Sequence, residues 1–165
     1  ELSICELGNR EGLSTLAILD AMTNEHKFVS VDIVADLRFI PTEKANPLIQ
    51  DNIFVPVVGD CLEDKTLQIV ESLIKDKPIG LLFCDTVHTH EQLSSEFQFY
   101  ERLLADEAIV LVDDIQDWGE WLKIDHPDRR TKYKFFKDWQ GEKYDLTELC
   151  HYPTGFAAFI YRRVK

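Results

Sequence analysis

The stretch that decides the fold is Ile4-Cys5-Glu6-Leu7-Gly8-Asn9-Arg10-Glu11-Gly12-Leu13-Ser14-Thr15. A short apolar run ends in an acid, crosses two glycines and opens into a pattern with helical spacing. This order predicts a β-strand, a tight turn and the start of an α-helix. Glycine lets the backbone bend sharply and approach a ligand closely, and the free N–H groups of a helix start favour a negatively charged partner. We therefore expect this turn to form the floor of a small-molecule site.

Length and charge limit the class of protein. The chain has 165 residues and a formal net charge of -12, which indicates one globular domain over residues 1–165. Because nucleic-acid binding needs a basic face, the acidic balance argues against a nucleic-acid partner. The cluster Arg129-Arg130-Thr131-Lys132 is a local exception, which we interpret as a solvated helix face. We expect no membrane span and no signal peptide, since no apolar run approaches ~20 residues.

The cysteines indicate a reducing compartment. Cys5, Cys61, Cys84 and Cys150 are scattered without a C-x-x-C pair. This pattern favours a cytoplasmic protein over a disulfide framework or a zinc site. Because Cys5 and Cys84 lie inside apolar runs, we expect them to be buried, inert thiols.

Apolar runs alternate with segments of helical spacing along the whole chain, which predicts βαβ units and a mostly parallel sheet. We expect strands at residues 3–7, 28–31, 53–58, 79–84 and 108–112, and helices at 13–22, 65–75, 90–104 and 132–139. Residues 35–50 carry two prolines and predict a short helix and a loop. Residues 144–151 and 156–163 flank Pro153-Thr154-Gly155 and predict a closing antiparallel hairpin.

Acids follow the predicted strands at the points where they end. They are Glu6, Asp32, Asp60, Asp85, Asp113 and Asp114. The carboxyl ends of parallel strands lie on one edge of a sheet, where clustered charges are costly unless a ligand or a metal ion pairs with them. A polar strand end or a helix cap is the simpler interpretation of any single acid. The six together favour a site.

Asp32 follows Gly8 by 24 residues and ends the second predicted strand. An acid at this place is positioned for the hydroxyls of a ribose. The turn is Gly8-Asn9-Arg10-Glu11-Gly12 rather than G-x-G-x-x-G, which argues against a dinucleotide and leaves a nucleoside-containing ligand open.

The sequence resembles class I S-adenosylmethionine-dependent methyltransferases over almost its whole length. Residues 6–14 look like the first motif, E-x-G-x-x-x-G-x-S, of the catechol O-methyltransferase-like branch. Asp85-Thr86-Val87-His88 resembles its D-x-x-[KH] segment, and Asp113-Asp114 resembles its D-[DN] pair. Sugar O-methyltransferases and cephalosporin-hydroxylase-like proteins share the D-x-x-H form, and this sequence looks closest to them.

The resemblance implies a three-layer, Rossmann-like α/β fold with the strand order 3-2-1-4-5-7-6. It implies S-adenosylmethionine as the cofactor, with the methionine part at the first motif, the ribose at Asp32 and the adenine beside Gly59-Asp60-Cys61. It also implies a divalent metal ion on Asp85, Asp113 and Asp114. The implied cofactor-binding residues are Glu6, Gly8, Asn9, Arg10, Gly12, Ser14, Asp32, Ile33, Gly59, Asp60, Cys61 and Asp85.

Two departures from the family pattern concern a turn and the substrate. Asp106-Glu107 stands where the family usually has a glycine pair before its fifth strand, which changes a turn. Residues 1–165 lack the helices that normally precede the first motif and cover the cofactor. Since substrate specificity lies largely in such segments, the identity of the substrate is the least readable feature.

The residues also support this chemistry directly. Three carboxylates suit Mg²⁺, Mn²⁺ or Ca²⁺ better than zinc, and such an ion can bind a substrate hydroxyl and lower its pKa. His88 follows Asp85 closely, and histidine is a side chain suited to removing that proton. We expect His88 and Asp85 to be catalytic, with a local loop cap as the alternative for His88.

The segment after Asp114 offers a substrate wall. It contains Trp118, Trp121 and His126. Packing of the two tryptophans in the core is an equally good interpretation.

The preferred hypothesis is a metal-assisted O-methyltransferase that acts on a hydroxyl of a small molecule or sugar, with no nucleic-acid or membrane partner and a homo-oligomer left open. The second hypothesis is a nicotinamide-dependent oxidoreductase, against which the first turn and the Asp113-Asp114 pair count. The third is a non-catalytic domain that keeps the cofactor fold as a scaffold.

Overall fold

The computed structural model describes residues 1–34, 36–75, 77–115, 131–150 and 154–164. Strands and helices alternate along most of this length, as the sequence predicts. The elements are β1 Ser3–Leu7, α1 Leu13–Ala21, β2 Lys27–Asp32, α2 Thr42–Gln50, β3 Phe54–Val58, α3 Asp64–Ile74, β4 Ile79–Cys84, α4 His90–Tyr100, a 3-10 turn Glu101–Leu103, β5 Leu104–Asp113, α5 Lys132–Asp138, β6 Lys143–Asp145, α6 Thr147–Cys150 and β7 Phe156–Arg162.

The strands of the described residues form one seven-stranded sheet in the order β3-β2-β1-β4-β5-β7-β6. β1 pairs in parallel with both β2 and β4, and β7 lies antiparallel between β5 and β6. The expected strand order and the expected antiparallel end of the sheet are therefore confirmed. β1 and β4 are neighbours although β2 and β3 separate them in sequence. The order in which strands are added to the sheet therefore reverses between β1 and β4. Ligand crevices of open α/β sheets lie at such a reversal.

Helices cover both faces of the sheet. Adjacent residues of a strand point to opposite faces, and Phe28 and Val29 accordingly belong to different apolar clusters. Phe28 packs with Phe54, Leu19 of α1 and Ala45 of α2. The larger cluster contains Val29 and joins the sheet to α3, α4 and α5. The result is the expected three-layer arrangement.

The predicted hairpin is wrong in its first strand. β6 has three residues instead of the expected eight, and residues Thr147–Cys150 are helical. The side chain of Asp145 accepts a hydrogen bond at 3.0 Å from the backbone N–H of Thr147, which turns the chain out of the strand. The second strand is close to the prediction.

Two further boundaries differ from expectation. The predicted helix 90–104 ends at Tyr100, and the chain continues through the 3-10 turn into β5. β5 begins at Leu104 and is therefore longer than the predicted strand 108–112. Asp106 and Glu107 are exposed residues inside this strand, at the shift in its register with β4 between Leu104 and Ile109.

The expectation of buried thiols is confirmed for Cys5 and Cys84, and it extends to Cys61. Burial raises the pKa of each of these thiols above its ordinary value. Thiolates are therefore disfavoured at all three positions. In the described part of the chain, no helix is long and apolar enough to cross a membrane.

Candidate active site

The turn between β1 and α1 has the backbone geometry that its glycines require. Gly8 and Gly12 have φ values of 84° and 90°, and Arg10 between them has 49°. A Cβ atom on Gly8 would lie 2.2 Å from the carbonyl oxygen of Asp85 at the end of β4. Gly8 is therefore needed both for its left-handed conformation and for the close approach of two strand ends.

Asp32, at the end of β2, holds this turn in place. Its Oδ2 accepts hydrogen bonds from the backbone N–H groups of Asn9 at 2.9 Å and Arg10 at 2.8 Å. Its Oδ1 accepts one from the N–H of Val34 at 3.0 Å. An anion placed on successive N–H groups stabilises such a turn. Asp32 thus organises the floor of the site in addition to being available to a ligand.

Glu6 lies beneath this turn and is completely buried. Its carboxylate accepts hydrogen bonds from the hydroxyl groups of Ser14 at 2.6 Å, Thr15 at 2.6 Å and Ser30 at 2.7 Å. Burial raises the pKa of Glu6, and the three hydroxyl donors oppose that rise. The carboxylate therefore fastens β1 to α1 and β2 from within.

A cavity of about 740 Å³ opens at the carboxyl ends of β1 to β4. Eight of the twelve expected cofactor-binding residues line it, namely Gly8, Arg10, Asp32, Ile33, Gly59, Asp60, Cys61 and Asp85. The other four, Glu6, Asn9, Gly12 and Ser14, are not among the lining residues. His88, the expected catalytic residue, also lines the cavity. The remaining lining residues were not expected at a site, namely Glu11, Val31, Val34, Asp36, Thr86, Val87 and Gln92.

Asn9 supports the cavity floor without reaching its surface. It is 5% exposed, and its amide nitrogen donates to the hydroxyl of Ser30 at 2.8 Å. Its Oδ1 atom is buried and has no hydrogen-bond partner. Such an atom is an unused acceptor in the turn between β1 and α1.

A group of candidate metal ligands lies at the ends of β4 and β5. One ligand atom each of Asp85, His88 and Asp114 can be chosen so that all three atoms are within 4.8 Å of one another. Asp114 has a left-handed φ of 58°, which turns its side chain away from the strand pattern. Its Oδ2 atom lies 2.7 Å from Nδ1 of His88. Oxygen and imidazole ligands at this spacing are suitable for a divalent ion.

Asp113 is not part of this group, although the resemblance implied it as a ligand. Its Oδ1 atom accepts a hydrogen bond at 2.8 Å from the backbone N–H of Asp114. Burial, followed by repulsion from Asp85 and Asp114, raises the pKa of Asp113 to about 7. The side chain therefore shapes the turn that presents Asp114.

Asp85 and Asp114, the two carboxylates of the candidate ligand group, differ in the direction of their pKa shifts. Burial raises the pKa of Asp85, and repulsion from Asp114 adds to the rise. Burial acts in the same direction on Asp114, but the hydrogen bond from His88 and the charge of Lys132 hold its pKa below the ordinary value. Asp114 is therefore the carboxylate that is more readily ionised.

Lys132 of α5 packs against the ends of β4 and β5. The expectation that it lies on a solvated helix face is wrong. The side chain is fully buried. Its ammonium group donates to the carbonyl oxygens of Asp113 at 3.0 Å and Cys84 at 3.4 Å. The aromatic residues after Lys132 indicate a helix packed on the sheet, but no motif shows which lysine of that helix is buried. Arg129 and Arg130 lie outside the described residues, as do Trp118, Trp121 and His126.

The sequence analysis also missed Glu96, which is fully buried on α4. Its Oε1 atom accepts hydrogen bonds from the side chains of Thr86, Gln92 and Cys61. Glu96 falls on the same helix face as the buried residues Leu93 and Tyr100. An acid inside an apolar stripe was the signal that could have identified it.

Comparison with known proteins provides the family. A family model described as a methyltransferase domain matches residues 5–115. No curated protein sequence matches the chain.

Solved structures provide the fold. An O-methyltransferase from Bacillus cereus in complex with S-adenosylhomocysteine (SAH) has 18% identity and a TM-score of 0.68, with 97% of this chain and 74% of that chain covered. TomG from Streptomyces achromogenes, an O-methyltransferase of tomaymycin synthesis in complex with S-adenosylmethionine (SAM), has 18% identity and a TM-score of 0.63, with 96% and 73% covered. MycE of the mycinamycin pathway, in complex with Mg and SAH, has 11% identity and a TM-score of 0.61, with 98% and 45% covered. At these identities the likeness establishes a common fold.

Proposed function

The chain belongs to the methyltransferase domain family, and from that premise we propose that it transfers a methyl group from SAM to a hydroxyl group of a small molecule or sugar. The observation that carries the proposal is the cavity at the reversal of the sheet, where Gly8, Asp32, Gly59 and Asp85 meet. Its volume of about 740 Å³ is in the range of small-molecule sites. The SAM and SAH complexes of proteins with this fold support the choice of cofactor.

The lining residues fit this cofactor chemically. Asp32 and Asp60 place carboxylate acceptors at the ends of β2 and β3, where ribose hydroxyls can donate. Asp85 places a further anion at the end of β4, which suits a cofactor that carries an ammonium and a sulfonium group. Arg10 lies in the turn itself and suits the carboxylate of the methionine part.

A divalent ion such as Mg²⁺ or Mn²⁺ would be held by Asp85, His88 and Asp114. Two carboxylates and an imidazole form a suitable set of ligands, and Asp113 and Lys132 hold the strand ends that present them. When bound, the ion supplies Lewis acidity that lowers the pKa of a substrate hydroxyl. The Mg-containing complex of MycE supports this part of the proposal.

His88 is the proposed proton acceptor for the substrate hydroxyl when it is not a metal ligand. It lines the cavity, and its side chain is about half exposed. The carboxylate of Asp114 contacts Nδ1 and orients the ring. A carboxylate in this place also stabilises the imidazolium that forms when the proton is taken up. The second ring nitrogen is then the atom that acts on the substrate.

The proposal is tested by incubating the chain with SAM, Mg²⁺ and a panel of catechols, phenols and sugars. SAH and methylated products are quantified by mass spectrometry. We expect SAH to form only when an acceptor is present. We expect His88→Gln to suppress it by a factor of about 10² or more, since the variant loses a metal ligand when the ion is bound and the proton acceptor when it is not. Binding of SAM without turnover on any acceptor would favour the non-catalytic scaffold.

A further inference from the structure

Three residues of the cavity wall share one buried acceptor. Oε1 of Glu96 accepts from the amide nitrogen of Gln92 at 2.9 Å, from the thiol of Cys61 at 3.6 Å and from the hydroxyl of Thr86. Gln92, Cys61 and Thr86 all line the cavity. Glu96 itself is fully buried behind them and does not line it. The carboxylate therefore determines how three wall residues are oriented.

Glu96 fixes the orientation of the Gln92 amide. The Oε1 atom that already accepts from Cys61 and Thr86 is an acceptor toward Gln92 as well, so it selects the NH₂ end of the amide. The sulfur of Cys61, 3.9 Å from the same nitrogen, is a second acceptor on that side. Among the described residues, no hydrogen bond reaches Oε1 of Gln92, a half-buried residue that lines the cavity. With its nitrogen held by Glu96, Gln92 therefore has its amide oxygen left to accept from a ligand.

We propose that Gln92 recognises the 6-amino group of the adenine base and that Glu96 is its positioning residue. This inference rests on the proposed function. Cys61 connects Gln92 to the segment Gly59-Asp60-Cys61 after β3, where the adenine is expected. Adenine carries a hydrogen-bond donor at position 6, whereas hypoxanthine carries an acceptor. An amide oxygen held on this wall attracts the first base and repels the second.

A direct test compares SAH with S-inosylhomocysteine, which carries a 6-oxo group in place of the 6-amino group. Both are titrated into the whole chain by calorimetry. We expect the wild type to prefer SAH by about tenfold or more. In Gln92→Leu we expect SAH affinity to fall by about five- to tenfold, with little change for S-inosylhomocysteine. The preference for SAH over S-inosylhomocysteine is therefore largely lost in Gln92→Leu.

Glu96→Gln tests the positioning role separately. An amide at position 96 can donate as well as accept, so the Gln92 amide is free to turn its NH₂ group toward the cavity. We expect the preference for SAH to shrink in this variant while the protein stays folded by circular dichroism. Gln98→Ala is the matched control, because Gln98 is an exposed residue of the same helix outside this cavity.

The outcomes separate this inference from the proposed function. If the wild type binds neither compound, the proposed function fails and the inference fails with it. If the wild type binds SAH but does not discriminate, or if Gln92→Leu keeps the full discrimination, the inference alone is overturned. A Gln98→Ala variant that loses discrimination as strongly as Gln92→Leu would also overturn it.

Discussion

The ammonium group of Lys132 lies 3.0 Å from the carbonyl oxygen of Asp113, and the side chain is fully buried. The same group lies 3.4 Å from the carbonyl oxygen of Cys84. One cation therefore joins the ends of β4 and β5, from which Asp85 and Asp114 project. Buried lysines are rare unless they are paired, and here the pairing is with the backbone that positions the candidate metal ligands.

We predict that Lys132→Met lowers the free energy of unfolding by about 1–3 kcal/mol, because two buried carbonyl groups lose their donor. Urea denaturation followed by circular dichroism measures the change. Lys137→Met is the control, since Lys137 is an exposed residue of the same helix. A Lys132→Met variant as stable as Lys137→Met would show that the lysine does not hold the strand ends together.

Removal of the Asp32 carboxylate should weaken SAH binding. We predict that Asp32→Ala costs about 1–3 kcal/mol of binding free energy, because the ribose loses a charged acceptor. The N–H groups of Asn9 and Arg10 lose the same acceptor, so the turn also becomes less ordered. Asp36→Ala is a suitable control, since Asp36 lines the same cavity outside this network. Unchanged calorimetric affinity in a folded Asp32→Ala variant would refute the ribose assignment.

The metal site makes a prediction that distinguishes two neighbouring acids. We expect millimolar Mg²⁺ or Mn²⁺ to raise the melting temperature and EDTA to reverse the rise, because an ion that binds the folded state stabilises it. Asp114→Asn should abolish this response, whereas Asp113→Asn should retain most of it, since Asp113 is outside the ligand group. If only Asp113→Asn abolished the rise in melting temperature, Asp113 would be a metal ligand, as the resemblance implied.

Glu96 should make stability depend on pH. Burial raises the pKa of Glu96 in the folded chain, so the folded state keeps this proton at pH values where the unfolded state has lost it. Stability from this group therefore decreases as the pH rises above the unfolded pKa and levels off above the folded pKa. We predict a shallower decrease in Glu96→Gln when urea denaturation is repeated from about pH 4 to about pH 8. Glu43→Gln, at an exposed acid of α2, is the control. Superimposable profiles for Glu96→Gln and the wild type would exclude this coupling.

The fold could be predicted because its signals are local. The turn from Gly8 to Gly12 needs residues that accept a positive φ, and the apolar runs of β1, β2, β4 and β5 are typical of strands covered on both faces. The first strand of the hairpin was predicted too long for an equally local reason, since the side chain of Asp145 ends β6 early. Short polar segments at a sheet edge show little hydrophobic periodicity, so their length is hard to predict.

The site could be predicted only where it follows the strand ends. Asp32, Gly59 and Asp85 line the cavity because sheet topology brings such positions together. Gln92 and Lys132 enter from helices, and which side of a helix meets a cavity depends on tertiary packing. The candidate ligand group contains His88 where the resemblance implied Asp113. This difference depends on the left-handed conformation of Asp114, which the sequence allows but does not specify.

The central claim is that the cavity at the ends of β1 to β4 binds SAM and its product. Calorimetric titration of the wild-type chain with SAH, with NAD titrated in parallel, tests it most directly. We expect saturable binding of SAH with one site per chain and no measurable heat from NAD. Binding of NAD without binding of SAH would contradict it and favour the oxidoreductase.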